Sequence, residues 1–246
     1  MSAPAAGTPR WWGRHLHELR WSLEATRLLV DPVFRGDGVP RGDGRPVLLL
    51  PGFGGGDYTL ITLAGWLRRI GYAPSVAGFV LNVGCSERSL QRVVTRAEAL
   101  RAHHGRRVAV IGHSRGGHFA RAMAVRRPDL VAHAISVGGG LTDQQDVSAP
   151  TQAAVAAVRA LHRHTTDRRA RNGCLSVDCA CAFGADYRAP LPPDVRLTSI
   201  YSREDGVVRW QSCAAPDATC VEVTGSHVGL VFNRKVYRAL AAALDA

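Results

Sequence analysis

The clearest chemical signal in the chain is a serine set on a sharp turn. Residues 108–117 read Val-Ala-Val-Ile-Gly-His-Ser-Arg-Gly-Gly, an apolar strand running straight into a Gly-x-Ser-x-Gly turn. Such a turn needs glycine on either side of the serine, because Cβ atoms there would clash where backbone crosses backbone. Ser114 is therefore a candidate nucleophile. The helix expected over residues 115–126 points its N-terminal amides at the same spot, where they can receive developing negative charge. Arg-Arg-Pro at 126–128 ends that helix, since proline cannot continue it.

A serine hydroxyl is a poor nucleophile at neutral pH, so a histidine must take its proton and an acid must fix that histidine's tautomer. Of ten histidines, His227 is singled out by position, in a Thr-Gly-Ser-His-Val-Gly loop after the last expected strand. Asp205 follows the preceding strand in the same way, with Glu204 beside it as the alternative acid. His113 is expected to pack beneath the turn, and His103 and His104 to close a helix where cations suit the dipole. His162, His164, Cys174, Cys179 and Cys181 lie close together, but their spacing matches no paired-ligand zinc module, so no metal is expected.

These side chains need a scaffold that brings distant strand ends together. Strands are expected at 47–50, 72–80, 108–111, 133–137, 197–201 and 220–223, with helices from 57 or 59 to 69, over 86–103, 115–126 and 151–162, and a closing helix over 229–244. That alternation implies a mostly parallel, doubly wound α/β sheet with helices on both faces and its site at the carboxyl ends of the strands. Residues 46–140 and 194–246 form the expected core, and 1–45 are an N-terminal helix and lead-in. Residues 141–193, where the alternation lapses, are expected to be a cap. Its Val155, Val158, Leu161, Leu175, Phe183 and Tyr187 either line an acyl pocket, with Phe183 and Tyr187 as substrate contacts, or bury the insertion against the core.

Residues 11–30 place Trp12, Leu16, Leu19, Leu23 and Val30 at helical spacing with Arg14, Arg20 and Arg27 elsewhere around the turn. This amphipathic stripe serves either as a peripheral membrane contact or as packing on its own domain.

Composition narrows the classes. At 246 residues and 46% hydrophobic content the chain can bury one sizeable core. The formal charge of +11 comes from scattered arginines, with Lys235 the single lysine, so a nucleic-acid partner is not expected. No apolar run approaches the roughly 18 residues of a membrane span. Residues 1–8 lack a signal-peptide pattern, and the expected compartment is the cytoplasm. Six cysteines are too sparse for a disulfide scaffold, although Cys213 and Cys220 bracket a short loop that a bridge would close.

The sequence resembles the α/β-hydrolase superfamily, and within it the small bacterial esterases and triacylglycerol-lipase-like members, from about residue 47 to the end. The marks are Pro-Gly-Phe-Gly-Gly at 51–55, Gly-His-Ser-Arg-Gly at 112–116, Ser-Arg-Glu-Asp-Gly-Val-Val at 202–208 and Gly-Ser-His-Val-Gly-Leu at 225–230. The order Ser114, Asp205, His227 is also that of the superfamily. The resemblance implies Ser114 as nucleophile, His227 as general base then acid, Asp205 as orienting acid, and an oxyanion hole from the backbone N–H groups of Phe53 and Arg115. Phe53 is further expected to touch substrate. Pro51 stands where many relatives carry histidine, so the support of the Phe53 donor must come from elsewhere. The implied activity is cofactor-free hydrolysis of an acyl or lipid-like ester. Thioester cleavage, acyl transfer or a non-catalytic binding role on the same fold are the alternatives.

Overall fold

The computed structural model describes residues 14–163 and 181–246. Six short segments form strands β1 (Pro46–Leu50), β2 (Ala73–Val76), β3 (Val108–His113), β4 (Val131–Val137), β5 (Arg196–Ser202) and β6 (Thr219–Val223). They pair in parallel in the order β2-β1-β3-β4-β5-β6. Between and around them run α1 (Trp21–Val30), α2 (Pro32–Arg35), α3 (Ile61–Arg69), α4 (Ser86–His104), α5 (Arg115–Arg126), α6 (Ala149–Arg163), α7 (Ala182–Arg188), α8 (Trp210–Cys213) and α9 (Arg234–Asp245).

Alternation along the strands splits the core into two layers, because successive side chains leave a strand on opposite faces. Val47, Leu49, Ile111, Ile135 and Ile200 pack with Leu63, Trp66 and Leu67 of α3 and Tyr237, Leu240 and Leu244 of α9. Leu48, Leu50, Val108, Val110 and Ala134 face the other way, onto Leu90 and Val93 of α4 and Phe119 and Met123 of α5. Burial on both faces explains why β1 reads as an unbroken apolar run.

Three elements differ from the sequence expectation. β2 stops at Val76 rather than residue 80, because Gly78 turns the chain at φ 83°. The Asp57 carboxylate then takes the Gly78 and Phe79 N–H groups at 2.7 and 3.0 Å, in place of a neighbouring strand. The closing helix is two pieces, a 3-10 turn over Val228–Phe232 and then α9. Asn233 divides them: its side chain caps α9 through the Lys235 N–H at 2.9 Å and donates to the Thr224 carbonyl at 2.7 Å.

The N-terminal stripe is the third. Leu19, Leu23 and Val30 are 70%, 46% and 72% exposed, while the opposite face buries Leu28 and, unexpectedly, the carboxylate of Glu24. Trp12 falls outside the described residues. Among the described residues no helix is long and apolar enough to cross a membrane.

Candidate active site

Ser114 sits between β3 and α5 with φ 52° and ψ −120°, one of the two non-glycine residues with positive φ among those described. Such a conformation costs about 1–3 kcal/mol and persists only when its surroundings enforce it. Here they do. The Ser114 N–H donates to the Val137 carbonyl at 2.8 Å, and the Ser114 carbonyl accepts from Gly117 at 2.8 Å. A Cβ on Gly112 would collide with the Gly116 carbonyl, and one on Gly116 with the Leu50 carbonyl, so strand, turn and helix cross at contact distance.

The loop after β1 runs alongside. A Cβ added to Gly52 would lie 3.2 Å from the Ser114 Cβ, which places the 51–55 loop, with Phe53, directly against the elbow. Asn82 supplies the support that Pro51 left open. Fully buried, it donates from Nδ2 to the Pro51 carbonyl at 2.8 Å, and its backbone pairs with Gly55 at 2.7 Å and Gly54 at 3.2 Å. The Arg115 guanidinium then donates to Asn82 O and Oδ1 at 3.0 and 3.1 Å, to Gly84 O at 2.8 Å and to Ser86 Oγ at 3.0 Å. One buried asparagine and one arginine thus tie the Phe53 loop to the first residue of α5. Sequence reading missed Asn82, since a lone Asn in an apolar loop carries no motif.

On the other side, His227 Nδ1 and Asp205 Oδ2 are 2.7 Å apart, both residues buried. Asp205 Oδ1 accepts the Val207 and Val208 N–H groups at 2.8 Å each, so the carboxylate is fixed. Glu204, the alternative acid, instead pairs with Arg20 at 3.6 Å. Burial opposes charging the His227 ring, but Asp205 and, more weakly, Glu18 outweigh it, and its pKa lies above the ordinary histidine value of 6.5. His113 links this pair to the elbow: it precedes Ser114, its Nε2 lies 3.0 Å from the His227 carbonyl, and the two rings are 4.9 Å apart. Burial and the neighbouring His227 push His113 down to about 3, so it stays a neutral ring.

Sequence reading also missed the N-terminal carboxylates. Glu18 and Glu24 reach the 224–229 loop from the inner face of the N-terminal helical segment, a 3-10 helix over Arg14–Arg20 followed by α1. Burial pushes the Glu24 carboxyl up against the Ser226 hydrogen bonds that hold it down. The available signal was a glutamate four residues before the buried Leu28, on the face opposite the leucine stripe.

A cavity of about 280 Å³ opens at Ser114, lined by Phe53, Val147, Val155, Ala156 and Val208 with Gln144, Gln145, Gln152 and Arg159 at its polar wall. His118 also lines it, held neutral because burial and Arg115 push its pKa down to about 3. Val155 takes the first of the two placements its sequence context allowed. Phe183 and Tyr187 do not, and this corrects the expectation that they touch substrate. At 4% and 3% exposure they belong to the core, with Phe183 edge-on to Phe119 at 5.5 Å and the Tyr187 hydroxyl donating to Gly140 O at 2.7 Å. The reason is α7's anchorage: Arg126 of α5 pairs at 2.5 Å with both Asp186 and Glu87, and Glu87 also takes the Phe183 N–H at 2.8 Å.

Leu161 is 69% exposed. Leu175, His164, Cys174 and Cys179 lie outside the described residues. Among the described residues no three His, Cys, Asp or Glu side chains cluster to hold a metal. Cys213 and Cys220 are free thiols.

The chain belongs to the α/β hydrolase fold family, whose sequence model matches residues 45–173. It is similar to a triacylglycerol lipase of Vibrio cholerae serotype O1, 29% identical over 222 residues, spanning 76% of this chain and 69% of that protein. Among solved structures it resembles the mature lipase of Bacillus licheniformis, with TM-score 0.57, 13% identity and coverage of 85% of this chain and 96% of the other. A soluble variant of the monoglyceride lipase from Saccharomyces cerevisiae, in complex with a substrate analog, gives TM-score 0.55 and 16% identity over 84% and 88% of the two chains. At these identities the structural likeness is one of fold.

Proposed function

We propose that the protein is a serine carboxylic-ester hydrolase with Ser114, His227 and Asp205 as its catalytic residues. The observation that carries this reading is Ser114 held in a strained elbow at the mouth of a cavity, with the ring of the adjacent His113 lying 4.9 Å from that of His227 in a buried His227–Asp205 pair 2.7 Å apart. An idle serine needs no such backbone, and strain of this kind concentrates where chemistry uses it. The ester-cleaving relatives add support from outside the chain.

The chemistry follows from the donor set. With Nδ1–H donated to Asp205, the neutral His227 ring leaves Nε2 free to take the Ser114 proton as Oγ attacks the ester carbonyl. The resulting oxyanion is received by the Phe53 and Arg115 N–H groups. Collapse releases the alcohol, which leaves with the proton held by His227. Water activated by the same ring then frees the acid from the acyl-enzyme.

The core comprises residues 46–140 and 194–246. Within the insertion at 141–193, α6 roofs the cavity while α7 braces the core. A 280 Å³ cavity is at the low end of ligand pockets, roughly 300–1,000 Å³. Short and medium acyl chains are therefore the preferred substrates. Hydrolysis of p-nitrophenyl butyrate in preference to the palmitate, with kcat reduced about a million-fold by Ser114→Ala, is the expected result. Undiminished hydrolysis by the alanine variant refutes the reading.

A second reading, peripheral contact with a lipid surface, is favoured by the solvent-facing Leu19, Leu23, Leu29 and Val30 next to Arg20 and Arg27. Co-sedimentation with anionic vesicles, lost in Leu19→Asp/Leu23→Asp, supports it; equal sedimentation of the variant removes it.

A further inference from the structure

We propose that Glu18 and Glu24 form a carboxylate clamp that positions His227 and Asp205 for the reaction, an inference that rests on the hydrolase reading above. Five hydrogen bonds make the clamp. Glu18 Oε1 accepts the N–H groups of Gly206 and His227, both at 3.0 Å, and Oε2 accepts that of Val228 at 2.9 Å. Glu24 accepts the Ser226 N–H at 2.9 Å and its hydroxyl at 2.8 Å.

The arrangement is specific in two ways. Glu18 joins both loops, since Gly206 follows Asp205 while His227 and Val228 carry the base; the Ser202 hydroxyl, which accepts the Glu204 and Gly225 N–H groups at 3.0 and 3.1 Å, is a second tie between them, farther from the imidazole. Two of the three amides Glu18 takes, those of His227 and Val228, open a 3-10 turn whose first N–H groups have no intrahelical partner. Hydrogen bonds to an ionised acceptor are roughly twice as strong as neutral ones.

Glu24 fixes the loop from behind. A Cβ at Gly229 would collide with Glu24 Oε2, so glycine is required for the loop to close on this carboxylate. Leu28 and the Trp21–Phe232 ring contact at 6.2 Å dock the helix that carries the clamp. Glu18 and Glu24 do not reach substrate and are positioning residues. The N-terminal helical segment is thus a working part of the site rather than a lead-in to the fold.

The test compares Glu18→Ala, Glu18→Gln and Glu24→Gln in the full chain by ester kinetics, thermal midpoint and the downfield proton resonance of the His227 Nδ1–H. A misplacement of about 1 Å costs up to about a hundred-fold in rate. Glu18→Ala is accordingly expected to lose about 10- to 100-fold in kcat with KM changed less than about twofold, and to broaden the downfield resonance. Glu18→Gln keeps one acceptor oxygen, which serves two of its three amides, and recovers most of both signals.

Wild-type kcat and a sharp resonance in Glu18→Ala overturn the clamp. So does a loss in Glu18→Gln as large as in Glu18→Ala that tracks a fall in thermal midpoint. Should Glu18→Ala fail to fold, Glu18→Gln and Glu24→Gln decide the question: undisturbed kcat and resonance in both overturn the clamp, and partial loss at an unchanged midpoint supports it. If the wild-type protein cleaves no ester while the resonance still responds to Glu18→Ala, the hydrolase reading falls and the clamp stands.

Discussion

At the scale of single residues, two histidines 4.9 Å apart carry opposite shifts. His113, buried and beside another imidazole, is pushed down to about 3 and stays neutral throughout the working range. His227 is buried too, yet its contact with Asp205 raises its pKa above 6.5. Because the base must be neutral to accept the Ser114 proton, kcat/KM should climb with pH through a single midpoint above 6.5. Asp205→Asn should flatten and lower that limb, since the amide removes the charge that favours the imidazolium. A pH–rate profile checks this, and a midpoint well below 6.5 contradicts the assignment of His227. The nucleophile, base and acid candidates were legible because each lies in a short motif after a strand. Asn82, Glu18 and Glu24 were not, because their side chains reach backbone groups 31 to 210 residues distant, and backbone leaves no mark on sequence.

Among the elements, α5 was the most legible. Its start is fixed by the Gly-Ser turn and its end by Pro128, and the observed Arg115–Arg126 coincides with the expected span. The central strands β1, β3 and β4 were found within a few residues because both faces of the sheet are covered there, making each a mostly apolar run. Errors arose where a polar side chain overrode pattern: Asp57 capturing amides beyond β2, and Asn233 splitting the last helix. Burial of α7 is the same lesson from another side. Phe183 and Tyr187 read equally well as pocket or core, and the choice was made by Arg126, whose ion pairs with Glu87 and Asp186 draw α7 against α4 and α5. The N-terminal segment departs from the usual logic, with Leu19, Leu23, Leu29 and Val30 outward and Glu24 buried beside Leu28, because its inner face meets loop amides as well as apolar side chains.

For the molecule as a whole, the parallel sheet does the work that no local motif can. It delivers Phe53 after β1, Ser114 after β3, Asp205 after β5 and His227 after β6 to one edge, as open α/β sheets do with their sites. The N-terminal segment then closes the far side of that edge, so residues from both ends of the described chain meet there. The central claim is that this convergence activates Ser114. Its most direct measurement is labelling of the folded protein with a fluorophosphonate followed by peptide mapping. A single adduct on Ser114 is expected, abolished by Ser114→Ala and strongly slowed by His227→Ala. Absence of labelling in the folded wild-type protein, or an adduct that survives Ser114→Ala, would contradict it.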